Sequence, residues 1–248
     1  MRSTTVFATF FAFANAQNLG AKPNCTKFAD LKPVADPLKL FPPGSADFHC
    51  DMGVPIPYGP APTGCAKLEL LVARGTSEPG PFGQVVGDPL VARVKRDLIG
   101  ATFQGYAVQY PAGLNRSELG VADIPKRMEA QIKACPGIKF ALAGYSQGGG
   151  VVSRAISNMT SSLSDQVVAV ILYGAGDGSS MKDPLKAKTL ANCAPGDFAC
   201  PNSGTGPGHV SYNNEGTIWH DRSTKYIIEG FNGKGLGKKT LRSPTDLL

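Results

Sequence analysis

The feature that most restricts the fold of this chain is a serine between two glycines, where a predicted strand meets a predicted helix. The apolar run Ile138–Ala143 predicts a buried strand, and Val151–Met159 carry apolar residues along one side of a helix. The segment between them, Gly144-Tyr145-Ser146-Gln147-Gly148, therefore turns directly from strand to helix. Such a turn strains the serine backbone and exposes its hydroxyl. Ser146 is thus a candidate nucleophile.

Strand-like and helix-like segments alternate along the chain from Cys65 onward. The predicted strands are Leu68–Ala73, Tyr106–Tyr110, Ile138–Ala143, Val167–Tyr173 and Lys188–Ala191. Further helical faces are predicted at Leu90, Val91, Val94 and Leu98, at Ile124, Met128 and Ile132, and over Thr217–Glu229. This alternation predicts the α/β class, with a central five-stranded parallel sheet and helices on both faces. Ligands of such sheets bind at the carboxyl ends of the strands.

A serine nucleophile needs a base, and the base needs a carboxylate that orients it. In this class of fold the chain order is serine, acid, histidine. Of the three histidines, His49 precedes the serine, His209 lies in a glycine-rich loop, and His220 falls in the last predicted helix. A loop histidine can reach the top of the sheet more readily than a helical one. We expect His209 to be the base, with His220 as the alternative.

The candidate acid is Asp197, which stands between Cys193 and Cys200 after the last predicted strand. A disulfide closing so short a loop would fix the direction of the carboxylate, which is what an orienting acid requires. The alternative acid is Asp177, which follows the strand Val167–Tyr173.

Two backbone N–H groups are candidate donors to the negative oxygen that forms during acyl transfer. Thr76 follows the first predicted strand in Arg74-Gly75-Thr76, and Gln147 follows the nucleophile at the start of a helix. A helix N-terminus adds partial positive charge at the same place. The pattern predicts an oxyanion hole formed by Thr76 and Gln147, to which the Thr76 hydroxyl would add a third donor.

The first 16 residues have the pattern of a secretory signal peptide, with Arg2 before an apolar run and small residues at Ala14 and Ala16. The apolar run is too short to cross a hydrocarbon core of roughly 30 Å. Six cysteines fit an oxidising destination. N-glycosylation sequons occur at Asn24, Asn115 and Asn158. We expect a secreted, extracellular, monomeric glycoprotein with no membrane partner.

Composition divides the remainder of the chain. Residues 17–64 are rich in proline and glycine and predict an irregular N-terminal extension, residues 65–231 the catalytic domain, and residues 232–248 a flexible basic tail. The formal net charge is +6, but no nucleic-acid motif accompanies it, so we expect no nucleic-acid partner. The cysteines and histidines lack the spacing of metal sites, so we expect no metal and no cofactor.

Three segments, in this order and spacing, resemble the fungal cutinases, which are small serine esterases of the α/β-hydrolase fold. They are Cys65–Gly80, Cys135–Gly150, and Cys193–Cys200 followed by Gly208–Tyr212. The resemblance extends over residues 65–231 and implies that this domain is a small α/β-hydrolase. It implies nucleophile, acid, base and oxyanion roles for Ser146, Asp197, His209, Thr76 and Gln147. It also implies disulfides Cys65–Cys135 and Cys193–Cys200, which leaves Cys25 and Cys50 to pair within the extension.

The resemblance places Leu114 and Val210 on the apolar rim of the substrate site. The chain departs from the family pattern in the long extension of residues 17–64, which could pack behind the sheet or partly cover the site. It departs again after Leu114, where Ser117 stands near an asparagine that supports the oxyanion residue in the commoner pattern.

The family hydrolyses cutin, the plant cuticle polyester, together with short-chain esters and often synthetic polyesters. We therefore expect an esterase whose partner is plant cuticle polyester or another ester polymer surface, acting through an acyl-enzyme. The alternatives are an acetylxylan esterase acting on acetylated plant polysaccharide, a lipase that prefers long chains, and a non-catalytic cell-wall-binding protein that retains the fold.

Overall fold

The computed structural model describes residues 64–78, 80–113, 117–214, 219–243 and 246. Several predictions concern residues outside these ranges. They are the signal peptide, the N-terminal extension with Cys25 and Cys50, and the residues His49, Leu114, Asn24 and Asn115.

The described strands form one parallel sheet in the order β2-β1-β3-β4-β5-β6. Their bounds are β1 Leu68–Ala73, β2 Phe103–Ala107, β3 Lys139–Tyr145, β4 Val167–Tyr173, β5 Thr189–Asn192 and β6 Lys239–Leu241. The sequence predicts β1 and β4 with these bounds, because β4 is a continuous apolar run and β1 is apolar except at Glu69. It places β2 three residues too late, since this edge strand begins with half-buried residues that do not form an apolar run.

The sixth strand corrects two predictions, the five-stranded sheet and the flexible tail of residues 232–248. Lys239–Leu241 pair in parallel with β5, and the Cys193 N–H donates to the Leu241 carbonyl over 2.8 Å. Leu241 is buried, whereas Lys239 and Thr240 are half-buried. Lysine on an edge strand discourages pairing with other chains. Because two of its three residues are polar, this strand forms no apolar run that would predict it from the sequence.

The helices cover both faces of the sheet, as predicted. Their bounds are α1 Gly87–Asp97, α2 Ser117–Ala134, α3 Gln147–Ser157, α4 Ser161–Ser164 and α5 Trp219–Phe231. One face packs against α1 and α5, and the other against α2 and α3. Successive strand side chains point to opposite faces, so Leu70 and Val72 join the α1/α5 core while Leu71 joins the α2/α3 core. In the described part of the chain, no helix is both long and apolar enough to span a bilayer.

Two disulfides hold the described part of the chain, and they are the two that the resemblance implies. Cys65–Cys135 joins the entry of β1 to the end of α2 across a sequence separation of 70 residues. Cys193–Cys200 closes a loop of separation 7 directly after β5. The first therefore restrains a large part of the unfolded chain, whereas the second restrains one loop.

A buried histidine makes folding sensitive to acid. His220 on α5 is 2% exposed, and its Nδ1 lies 3.1 Å from the Tyr173 hydroxyl. Burial, with a smaller contribution from the nearby positive charge of Arg93, lowers the pKa of His220 to about 4. In the unfolded chain the pKa is about 6.5. Between these values only the unfolded chain binds the proton, so stability is complete above about pH 6.5 and falls as the pH drops towards 4.

Replacing His220 by glutamine should remove this acid sensitivity. The free energy of unfolding of the wild type should fall by up to about 3 kcal/mol more than that of His220→Gln between about pH 7.5 and pH 4. Urea unfolding at the two pH values measures this difference. Other titrating groups are common to both proteins and cancel in the comparison. Equal losses in the two proteins would contradict the assignment.

Candidate active site

Ser146 lies between the last residue of β3 and the first residue of α3, in the predicted strand–turn–helix junction. Its φ is 52° and its ψ is −118°, a conformation that non-glycine residues rarely adopt. Hydrogen bonds hold the turn in place. The Ser146 N–H donates to the Tyr173 carbonyl of β4 over 2.9 Å, and the Ser146 carbonyl accepts from Gly149 N–H over 3.0 Å. These hydrogen bonds on its two sides hold Ser146 in its strained conformation.

The glycines on either side of Ser146 are required by close backbone contacts. A Cβ atom at Gly148 would lie 1.9 Å from the Ala73 carbonyl oxygen of β1, and one at Gly144 would lie 2.5 Å from the Gly148 carbonyl oxygen. No side chain can occupy such distances. The glycines thus allow the first turn of α3 to lie directly against the ends of β1 and β3.

Three side chains form a continuous hydrogen-bonded line at this end of the sheet. His209 Nε2 lies 2.9 Å from Ser146 Oγ, and His209 Nδ1 lies 2.8 Å from Asp197 Oδ1. The Asp197 side chain is fully buried, and the His209 side chain is 9% exposed. A proton can therefore pass between the serine and the imidazole while the carboxylate holds the ring.

His209 lies in a single 3₁₀ turn, Pro207–Val210, in the loop before α5. The Tyr145 hydroxyl donates to the His209 carbonyl oxygen over 2.7 Å, which ties this turn to the residue before Ser146. Two aromatic rings contact the imidazole, with centroids 5.1 Å away for Tyr145 and 4.5 Å away for Phe198. The ring that faces the serine is thus fixed by backbone and side-chain contacts.

The loop between Cys193 and Cys200 aims the carboxylate of Asp197. Oδ1 accepts a hydrogen bond from Ala199 N–H over 2.9 Å in addition to that from His209, and Oδ2 accepts one from the Tyr212 hydroxyl. Burial alone raises the pKa of Asp197, but the hydrogen bonds from His209 and Tyr212 outweigh it, so the pKa lies below its ordinary value. Asp197 is therefore an ionised, oriented carboxylate at neutral pH.

The structure does not bring the alternative acid and base to the serine. The Asp177 carboxylate accepts the Ser179 N–H over 2.9 Å and lies 4.0 Å from Lys238 Nζ. His220 is buried on the α5 face of the sheet against Tyr173. The choice of Asp197 and His209 from sequence thus agrees with the observed geometry.

Thr76 lies in a turn directly after β1, the strand that pairs with β3, and β3 ends just before Ser146. The turn is closed by a hydrogen bond from Glu78 N–H to the Gly75 carbonyl over 3.2 Å, and Ser77 N–H donates to the Ala112 carbonyl over 2.9 Å. On the other side, Gln147 begins α3, and its side-chain Nε2 donates to the Gly113 carbonyl over 2.7 Å. Both residues predicted to form an oxyanion hole therefore lie in segments held by backbone contacts.

Glu78 holds the turn that contains Thr76, a role that no sequence pattern predicted. It is 1% exposed; its Oε2 accepts the Gly75 N–H over 2.6 Å and its Oε1 accepts the Val85 N–H over 2.9 Å. Burial raises the pKa of Glu78 to about 7, although the two N–H groups and the charge of Arg74 oppose this. The available signal was an acidic residue among glycines and prolines just after a strand.

Tyr212 is a second residue without a predicted role, although it belongs to the segment Gly208–Tyr212 that resembles the cutinases. Its hydroxyl contacts Asp197 and accepts the Ala194 N–H over 3.1 Å. Val210, predicted for the apolar rim, is half-buried and follows His209 in the chain. The hydroxyl of Ser117 accepts a hydrogen bond from Arg154 of α3 over 2.7 Å. Within the described ranges, no group of three histidines, cysteines or acids could hold a metal ion.

Comparison with known proteins places this site in a family. The family model for cutinase matches residues 64–230, which is more than half of the chain. Cutinase 4 of Emericella nidulans is 39% identical over 166 residues, covering 62% of this chain and 68% of that protein.

Two solved structures from Trichoderma reesei are similar to the model. A cutinase in complex with a phosphonate inhibitor has a TM-score of 0.56 and 28% identity, covering 67% of this chain and 77% of that chain. The catalytic core domain of an acetyl xylan esterase has a TM-score of 0.53 and 18% identity, covering 69% of this chain and 100% of that chain. This similarity concerns the fold alone. The family match and the curated relative agree with the geometry of the site, and the chain belongs to the cutinase family.

Proposed function

We propose that the protein hydrolyses carboxylic esters in two acyl-transfer steps, with Ser146 as nucleophile, His209 as base and Asp197 as the orienting acid. The observation that carries the proposal is the continuous line from Ser146 Oγ through His209 to Asp197. Membership of the cutinase family makes the protein a carboxylic ester hydrolase of the serine-esterase type.

In the first step His209 Nε2 takes the proton of Ser146 Oγ, and the oxygen attacks the ester carbonyl carbon. The tetrahedral intermediate collapses when the bond to the alcohol oxygen breaks, and His209 gives its proton to that oxygen. In the second step water attacks the acyl-serine by the same route and releases the acid. Asp197 remains ionised and stabilises the imidazolium that forms in both steps.

The negative oxygen of each intermediate needs donors that are already in place. We assign these to the N–H groups of Thr76 and Gln147, at the end of β1 and the start of α3. Partial positive charge at the N-terminus of α3 supports the same assignment. The buried carboxyl of Glu78 holds the turn that carries Thr76 by binding the Gly75 and Val85 N–H groups.

The substrate we propose is an ester polymer such as plant cutin, with short soluble esters as convenient substitutes. Family membership supports the substrate class. We also propose that the protein is secreted, which the pattern of its first 16 residues and its disulfides support. The triad comes from one chain, so the proposed reaction needs no second subunit.

Replacing Ser146 by alanine should lower kcat by about 10⁴-fold or more while the protein remains folded. The matched control is Ser157→Ala, because Ser157 lies on the same helix and its exposed hydroxyl only donates to the Ser153 carbonyl. Hydrolysis of p-nitrophenyl esters from acetate to palmitate measures both. A maximum at short to medium chains supports the cutinase reading, whereas activity on acetate alone indicates an acetylxylan esterase. Undiminished hydrolysis by Ser146→Ala would refute the proposal.

One disulfide should contribute mainly to the stability of the protein and the other mainly to its activity. Serine replacement of Cys65 and Cys135 should cost about 4 kcal/mol of unfolding free energy, and replacement of Cys193 and Cys200 about 2 kcal/mol, because the loops differ in length. The loss of kcat should instead be larger in the variant that lacks Cys193 and Cys200. Loss of the short loop should lower kcat by at least about tenfold, since Asp197 loses its orientation. Urea unfolding measures the stability of both double variants, and ester hydrolysis measures their kcat. A larger loss of kcat in the variant that loses more stability would contradict the prediction.

Glu78→Gln should lower kcat by about 10- to 100-fold with little change in KM, because donors to the oxyanion act mainly in the transition state. A carboxyl accepts two N–H groups, whereas an amide has one acceptor oxygen and would turn its own N–H₂ towards the other. Glu129→Gln on the exposed side of α2 is the matched control. A change confined to KM or to melting temperature would show that Glu78 has no part in the reaction.

A further inference from the structure

Phe198 is a large apolar side chain left in water beside the catalytic histidine. It is 68% exposed, and among the described residues the other exposed large hydrophobic side chain is Ile99, at 90%. Exposure by itself carries little information. The position of Phe198 is informative, because its ring centroid lies 4.5 Å from that of His209 with an interplanar angle of 40°.

The backbone around Phe198 is restrained on both sides. Asp197 N–H donates to the Ala194 carbonyl over 3.0 Å, and Cys200 N–H donates to the Asp197 carbonyl over 3.1 Å. The Cys193–Cys200 disulfide closes the same loop. The loop that aims the acid at His209 therefore also fixes the aromatic ring next to it.

The chemistry of ester cleavage determines which part of a substrate reaches this ring. His209 must protonate the leaving alcohol oxygen, so that oxygen lies about 3 Å from Nε2. The carbonyl oxygen points instead towards the donors proposed at Thr76 and Gln147. The first carbons of the alcohol therefore lie beside the imidazole. Of the two rings that flank it, Tyr145 is buried and Phe198 is exposed.

We propose that Phe198 is a specificity-determining residue that contacts the alcohol part of the substrate and favours esters of aromatic or bulky apolar alcohols. The proposal rests on the ester hydrolysis proposed above. The sequence after Phe198 supports the proposal. Residues 201–206 are Pro-Asn-Ser-Gly-Thr-Gly and offer little apolar surface, so the apolar surface of this stretch is concentrated at Phe198. An aromatic ring adjacent to the leaving group gains from burial and from ring–ring contact.

The test varies the alcohol at constant acyl group. For Phe198→Ala, kcat/KM for benzyl butyrate relative to methyl butyrate should fall by about tenfold, and for Phe198→Leu by less, since leucine keeps apolar area but not the ring. The two alcohols leave with similar intrinsic ease. Methyl esters from acetate to hexanoate should keep their relative rates in both variants. Ile99→Ala is the control, because Ile99 lies between α1 and β2, at the opposite end of the sheet.

A second measurement does not depend on the amount of folded enzyme. In water containing benzyl alcohol and methanol, the acyl-enzyme divides between the two acceptors, and Phe198→Ala should shift the product ratio towards the methyl ester. An equal loss on both butyrates with an unchanged product ratio would mean that Phe198 only supports His209, and would overturn the proposal, as would no change at all. A wild type that cleaves none of these esters would instead overturn the proposed function.

Discussion

The close packing of α3 against the ends of β1 and β3 is the constraint on which the site depends. Carbonyl oxygens lie where Cβ atoms at Gly144 and Gly148 would be, and Ser146 between these glycines has a positive φ, which is a strained conformation. That strain aims the hydroxyl away from the sheet and places the Gln147 N–H at the first turn of a helix. Nucleophile and proposed oxyanion donor thus follow from one packing requirement.

The buried carboxyl groups of Asp197 and Glu78 have opposite pKa shifts. Asp197 gains enough from His209, Tyr212 and a backbone N–H to offset burial, and its pKa is lowered. Glu78 also accepts two backbone N–H groups, but burial dominates, and its pKa is raised to about 7. The first environment suits a carboxylate that must remain charged when imidazolium forms beside it. The second belongs to a carboxyl that positions backbone, and its two N–H donors favour the charged form against burial.

Sequence reasoning succeeded where one local pattern carries the information. A largely apolar run predicts each of β1 and β4, and two close cysteines around an acid indicate Asp197. It failed where a residue acts through contacts that follow no helix or strand spacing. Glu78 binds the N–H of Val85, and Tyr212 reaches across a loop to Asp197, so neither has a local signature. The strand Lys239–Leu241 is hidden because only its last residue is buried.

In the proposed reaction, the loop closed by Cys193 and Cys200 would affect both catalysis and the choice of alcohol. Its backbone presents Asp197 inward to the imidazole and the next residue, Phe198, outward beside the same ring. Consecutive residues on opposite sides of one short segment cannot move independently. A change that shifts the loop to alter which alcohols are accepted would therefore also shift the carboxylate that orients His209. Selectivity is easier to vary by replacing the Phe198 side chain, because its size can change while the hydrogen bonds of the loop stay intact.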